Sequence, residues 1–250
     1  MKIYCSYNKQ FHNFLNDVVK LMLDTYASEL KIDTLEEIEL VNKNQYKIAT
    51  DGRIISNSRI VVTSRLYERL PILDIDKLEG NEYYKNIKQT LYHEMGHIND
   101  MFYMPNLYSY ALSDDCNKEQ IAAQFWIEYI VEKRSVGFEG ICEAVFCNNF
   151  IKKKWKCTVN SNVDNFNDNN FAFLTKYMPY FIARANHDNM REKYLSSMKN
   201  SLLRDYVNEV NNELERLEKI GLFDDIRILN KLYDVINSNY QNFMSAFRKC

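Results

Sequence analysis

Five consecutive residues, His93-Glu94-Met95-Gly96-His97, carry the side chains best suited to chemistry in this 250-residue sequence. Residues four apart on an α-helix stand on one face, so both imidazoles can reach a single zinc ion at about 2.0–2.1 Å. Glu94 lies about 100° round such a helix from His93, beside a metal rather than on it. From there its carboxylate can take a proton from a zinc-held water and pass it to a leaving amine. Zinc lowers the pKa of that water towards about 7, so an attacking hydroxide becomes available at neutral pH. Histidine is scarce, 4 in the whole chain, which makes a chance match uncommon. The plain alternative is a helix whose two histidines only hydrogen-bond.

A catalytic zinc takes a third protein ligand and leaves its fourth position to water. One way to supply it extends the motif to H-E-x-x-H-x-x-G-x-x-H. Here Asp100 stands at the glycine and Tyr103 at the last histidine, so that arrangement is excluded. A carboxylate from the next helix is the other source, and residues 119–132 hold three: Glu119, Glu128 and Glu132. Glu128 and Glu132 share a face with Ile121, Phe125 and Ser135, and a carboxylate on so apolar a face wants a metal or a charged partner. Glu119 precedes Glu128 by nine residues, two and a half turns, so the two cannot point at one metal. Glu128 is the favoured ligand and Glu119 the alternative. Glu132 and Asp100 are candidates to orient the histidines from behind.

The elements that must position these residues follow from periodicity. Phe11, Phe14, Leu15, Val18, Leu21, Met22 and Tyr26 form one apolar stripe, which predicts an amphipathic helix from about Phe11 to Leu30. Residues 37–41 alternate polar and apolar. Residues 46–49 and 53–56 flank Thr50-Asp51-Gly52, a hairpin signal, and Arg59-Ile60-Val61-Val62-Thr63 is a further β-branched strand. A small antiparallel or mixed sheet is expected. Tyr84, Ile87, Leu91, Ile98 and Phe102 then mark a helix from about Glu82 to Phe102, ended by Pro105. A second long helix should cover about Asn117 to Arg134, and a helical stretch Cys142 to Trp155. Residues 159–170 are Asn-rich and read as a loop, followed by helices at about 171–184, 189–219 and 224–247.

Composition agrees with this layout. Hydrophobic residues make up 46% and charged residues 26%, a globular balance, while 6 Gly and 3 Pro favour long helices over a turn-rich β fold. The net charge of −2 argues against a nucleic-acid partner. No stretch approaches the roughly 18 apolar residues of a membrane span, and the N-terminus lacks the apolar core of an export signal. Six scattered cysteines without a C-x-x-C pair fit unpaired thiols in a reducing cytoplasm.

The segment from Gln89 to Asp100 resembles the active-site helix of the glutamate-zincins. With the preceding helix and sheet, it is similar to the metallopeptidase domain of the ImmA/IrrE type found in bacteria and their phages or mobile elements. The segment Phe125 to Ser135 is similar to the glutamate-bearing helix of that family, with Glu128 followed by Val131 at the expected spacing. Glu119-x-x-Ala122-x-x-Phe125 fits a rival alignment. The resemblance covers about residues 10 to 136. It implies an α+β minimal zincin fold over residues 1–157; residues 158–170 read as a linker from their Asn-rich composition, and 171–250 as a mostly helical C-terminal region from their periodicity. It implies zinc (Zn2+) as cofactor and a protein or peptide substrate, such as the transcriptional regulators that relatives cut. Residues Ile60 to Thr63 would form the edge strand on which an extended substrate pairs. A transition-state oxyanion would draw on Tyr129, Tyr103 or His187 as donor. His187 also reads as a surface histidine, and His12 as structural. Two other readings stand beside this one: a zincin-shaped binding or regulatory module with structural zinc, and a zinc hydrolase of non-peptide substrates. The intact Glu94 favours an enzyme, because a structural zinc needs no base.

Overall fold

The computed structural model describes residues 1–5, 8–26, 28–44, 51–113, 117–151, 168–187, 189–198 and 200–247. It is α+β, and the chain divides into two compact units. The first comprises Met1–Tyr103 with Phe138–Ile141, the second Met104–Gly137 with Cys142–Cys250.

The first unit holds strand β1 (Lys2–Cys5), helix α1 (Lys9–Tyr26), strands β2 (Glu37–Val41), β3 (Gly52–Ser56) and β4 (Arg59–Thr63), and helix α2 (Glu82–Tyr103). Sheet order is β1-β2-β4-β3. β1 and β2 run parallel with α1 as the crossover, β2 and β4 run parallel, and β3 returns antiparallel to β4. The sheet is therefore mixed. Its two central strands carry the apolar runs: Ile38, Leu40 and Val41 on β2, and Ile60, Val61 and Val62 on β4, are all buried. The predicted hairpin strand at residues 46–49 lies outside the described residues. The hairpin that forms joins β3 to β4 through Asn57-Ser58, with a register shift at Ile55. β4 is paired on both sides, so the expected edge role of Ile60 to Thr63 is not met; among the described residues, its neighbour β3 lies at an edge.

Both helices of this unit start on asparagine caps. Asn8 Oδ1 accepts from the Gln10 and Phe11 amides at 2.9 and 3.2 Å, and Asn81 Oδ1 from those of Tyr83 and Tyr84 at 3.0 and 3.1 Å. The α1 stripe is buried at Phe14, Leu15, Val18, Val19 and Met22. The Phe14 ring lies edge-on to Tyr67 and tilted against Tyr84, centroids 6.0 and 6.1 Å away. On α2, Tyr84, Ile87, Leu91 and Ile98 enter the core as expected, whereas Phe102 is exposed. The short segment Phe138–Ile141 closes on the same helix. Phe138 packs on Tyr92 at 4.9 Å, and Glu139 pairs with Lys88.

The second unit is helical: α3 (Pro105–Ala111), α4 (Lys118–Ser135), α5 (Ala144–Asn149), α6 (Asp168–His187), α7 (Arg191–Ser197), α8 (Ser201–Ile220) and α9 (Asn230–Phe247). Pro105 ends α2 as predicted but also opens α3, where a missing N–H costs nothing. Asp224 then accepts from the Asn106 and Leu107 amides at 3.1 and 2.9 Å, capping that helix from far along the chain. The Asn-rich segment turns helical already at Asp168, and the predicted helix 189–219 is divided into α7, ending at Ser197, and α8, which Asn200 caps. Of the stretch Cys142 to Trp155, residues 144–149 are α-helical and 152–155 lie outside the described residues. The core is aromatic. Phe150 stacks on Phe181 at 4.6 Å, Phe171 on Tyr206 at 5.4 Å, and Trp126 on Phe223 at 5.4 Å. No helix among the described residues is long and apolar enough to cross a membrane.

Candidate metal centre

Helix α2 is uninterrupted through the motif, and its residues 91–100 are all buried. Leu91, Met95 and Ile98 seat it in the core of the first unit. His93, His97 and Asp100 fall at i, i+4 and i+7, a different stripe of the same helix. The two rings meet at 80° with centroids 4.8 Å apart, and their Nε2 atoms are 3.1 Å from each other. Two nitrogens bound to one tetrahedral zinc at about 2.0–2.1 Å would stand about 3.3 Å apart. The pair is thus spaced to share a cation. The same spacing also suits one neutral imidazole donating to the other. Asp100 is 3% exposed and accepts from the Asn99 amide group at 2.7 Å, while Asn99 Oδ1 accepts from the Lys31 backbone N–H at 2.7 Å. That chain of bonds fixes the C-terminal turn beside His97.

Glu94 is 6% exposed, and its neighbour across the fold is a glycine. A Cβ placed on Gly52 would come 2.8 Å from Glu94 Oε1, 2.8 Å from Thr90 Cγ2 and 2.9 Å from Glu94 Cγ. The first residue of β3 is therefore flush against the side chain that the motif singles out as a base. In the sequence, Asp51-Gly52 reads only as a turn signal. Its glycine serves a close approach of strand backbone to helix, which no local pattern distinguishes from a turn.

The other site candidates, Tyr103 apart, lie in the second unit. Glu128 is half-buried on α4, and Tyr180 of α6 donates its hydroxyl to Glu128 Oε2. Glu119 sits in the first turn of the same continuous helix, 3.6 Å from Lys118 and on the side away from Glu128. Glu132, 2% exposed, pairs with Arg184, which also reaches Glu143 at 2.9 Å and lies over the Phe146 ring at 4.2 Å. Burial pulls the Arg184 guanidinium towards neutrality, but the two carboxylates outweigh it and its pKa is raised. Tyr129 is buried and donates to Glu218 at 2.6 Å; burial first, then that bond, pushes its hydroxyl well above the ordinary tyrosine range. It is a neutral donor already committed to a carboxylate. His187 is exposed at the end of α6, and its ring fills the space where Gly137 lacks a Cβ. Tyr103 is 44% exposed at the end of α2.

Tyr180 and Arg184 had no signal in the sequence, and Gly52 only that of a turn. The first two matter through partners 52 residues away and Gly52 through a strand–helix contact, and composition encodes neither. No protein-family profile, curated protein or solved structure matches this chain.

Proposed function

We propose that the protein is a zinc-dependent peptidase in which His93, His97 and Glu128 hold the metal and Glu94 is the general base. The observation that carries this reading is the histidine pair. Two buried imidazoles, one turn apart, face each other at a separation that a shared cation would produce. Within the second unit, Glu128 is half-buried and already held by the Tyr180 hydroxyl, whereas Glu119 lies in the first turn of α4 beside Lys118, which favours Glu128 over Glu119 as the third ligand. Two imidazoles and a carboxylate form a donor set that suits zinc.

Zinc, when bound, supplies the Lewis acidity that lets water attack a peptide carbonyl at neutral pH. Glu94 accepts the proton of the attacking water on its carboxylate and delivers it to the nitrogen of the departing amine. His93 and His97, whose Nε2 atoms face each other at 3.1 Å, would hold the ion. Gly52 lets the edge strand β3 run against Glu94, so a peptide in extended form would pair along β3 with its scissile bond near the base. The thiols of Cys5 and Cys142 fit a reducing cytoplasm as the setting.

Metal content by mass spectrometry tests the site. Wild-type protein should carry about one zinc per chain. His93→Ala and Glu128→Ala should lose it, while Glu119→Ala and Glu94→Gln should keep it. Peptide hydrolysis should vanish in Glu94→Gln, with zinc retained. Folded wild-type protein that takes up no zinc when supplied with it would end the reading. Bound zinc with equal properties in Glu94→Gln and wild type would instead favour a structural metal in a regulatory module.

A further inference from the structure

We propose that Tyr180 is a positioning residue for the metal-binding carboxylate, its hydroxyl setting the orientation in which Glu128 meets the cation. This rests on the zinc reading above and extends the site to α6, in a region that the sequence reads only as a helical tail.

The argument lies within the second unit. Helices α4 and α6 touch through two polar pairs in register. Tyr180 donates to Glu128 Oε2, and one turn further along both helices Arg184 pairs with Glu132. Both pairs run in the same sense, 128 to 132 against 180 to 184, so α6 grips α4 at successive turns. The second pair cannot slide. Arg184 is also held by Glu143 at 2.9 Å, and Glu143 in turn accepts from the Gly137 amide at 3.0 Å. Glu132 and Glu143 are 2% and 1% exposed, so breaking this cluster would strand buried charge. Tyr180 is therefore delivered to Glu128 by a fixed scaffold.

The chemistry of the contact suits a ligand. A glutamate has a flexible side chain, and ordering it costs conformational entropy. A hydrogen bond that orders it beforehand removes that cost from metal binding. The donor is a neutral phenol, so the carboxylate keeps the full negative charge that attracts a cation; a lysine or arginine in the same place would cancel it. Outer hydrogen bonds of this kind typically change metal affinity by about 10–100-fold.

The test is zinc affinity of the full chain, measured by competition with a chromophoric chelator. Tyr180→Phe should bind zinc about 10–100-fold more weakly than wild type. Tyr177→Phe, one turn earlier on α6, should bind as wild type does. The metal-free forms of all three should melt at the same temperature by circular dichroism, which separates positioning from a loss of fold. With cobalt(II) in place of zinc, the visible absorption bands of Tyr180→Phe should change shape, because the carboxylate is no longer held by the phenol. Wild-type zinc affinity in Tyr180→Phe overturns the proposal and leaves the zinc site intact. A weakened affinity matched by an equal loss of metal-free stability also overturns it. A wild-type chain that binds no zinc overturns both this inference and the reading beneath it.

Discussion

Replacing Gly52 by alanine tests the contact between β3 and the proposed base. The added methyl would lie 2.8 Å from both Glu94 Oε1 and Thr90 Cγ2, and 2.9 Å from Glu94 Cγ. Ordinary carbon contacts begin near 3.5 Å, so strand and helix must part by about 0.7 Å. The carboxylate tip can yield by rotation. Thr90 Cγ2 and Glu94 Cγ sit close to the helix backbone and cannot. Overpacking of this kind costs about 1–3 kcal/mol, which lowers Tm by about 2–4 °C per kcal/mol in a chain of this length. Misplacing a catalytic group by even about 1 Å can cost about 10²-fold in rate. Gly52→Ala should therefore keep its zinc, lose a few degrees of Tm, and cut hydrolysis of a quenched-fluorescence peptide mixture by about 10–100-fold. Full activity together with a lowered Tm would show that Glu94 need not stand where it does, and the base assignment would fall with it. Loss of zinc would show instead that the strand supports the histidines.

Arg184→Met leaves Glu132 and Glu143 buried without their shared cation, and chemical denaturation should report a loss of about 3–5 kcal/mol; a loss below about 1 kcal/mol would mean that the cluster is solvated and cannot act as a scaffold for α6. The Glu215 carboxylate accepts from the Asn211 amide at 2.7 Å and from Arg191 at 3.0 Å, and these bonds, Asn211 first, hold its pKa below the ordinary glutamate value. Its folded pKa is thus below the unfolded one, so its stabilisation is present above the unfolded value and fades as pH falls through the folded one. An NMR titration of Asn211→Leu should show the Glu215 midpoint moving up, and no movement would refute the assigned cause.

Much of the framework is legible in the residues. Helix α1 declares itself through Phe14, Leu15, Val18 and Met22, all buried, and α2 through Tyr84, Ile87, Leu91 and Ile98. These stripes are local, and a period of 3.6 needs no knowledge of the partner. The histidine pair is legible for the same reason, since i and i+4 geometry is a property of one helix. What fails to show is whatever depends on distant pairing. Lys2–Cys5 is too short and too exposed to announce a strand, and it becomes β1 only because residues 37–40 lie beside it. The resemblance casts β4 as an edge, and the residues of β4 alone cannot say which strands flank it. Pro105 reads as a stop because its second use, at the first turn of a new helix, depends on Asp224. Phe102 continues the stripe of α2 by spacing alone, yet no core lies beneath it.

The first unit is discontinuous along the chain, and synthesis must respect that. When Tyr103 leaves the ribosome, α1, the four strands and α2 are all present, but the surface around Tyr92 and Lys88 still lacks Phe138 and Glu139. Residues 104–137 come next and belong elsewhere, so α2 waits on the order of seconds for the segment that seals it. A fragment ending at Tyr103 would be left permanently in that waiting form, its aromatic seam open and Lys88 without the carboxylate of Glu139. The packing around the helix bearing the two histidines is thus completed only when Phe138–Ile141 emerge, and no single cut in the backbone releases that unit whole.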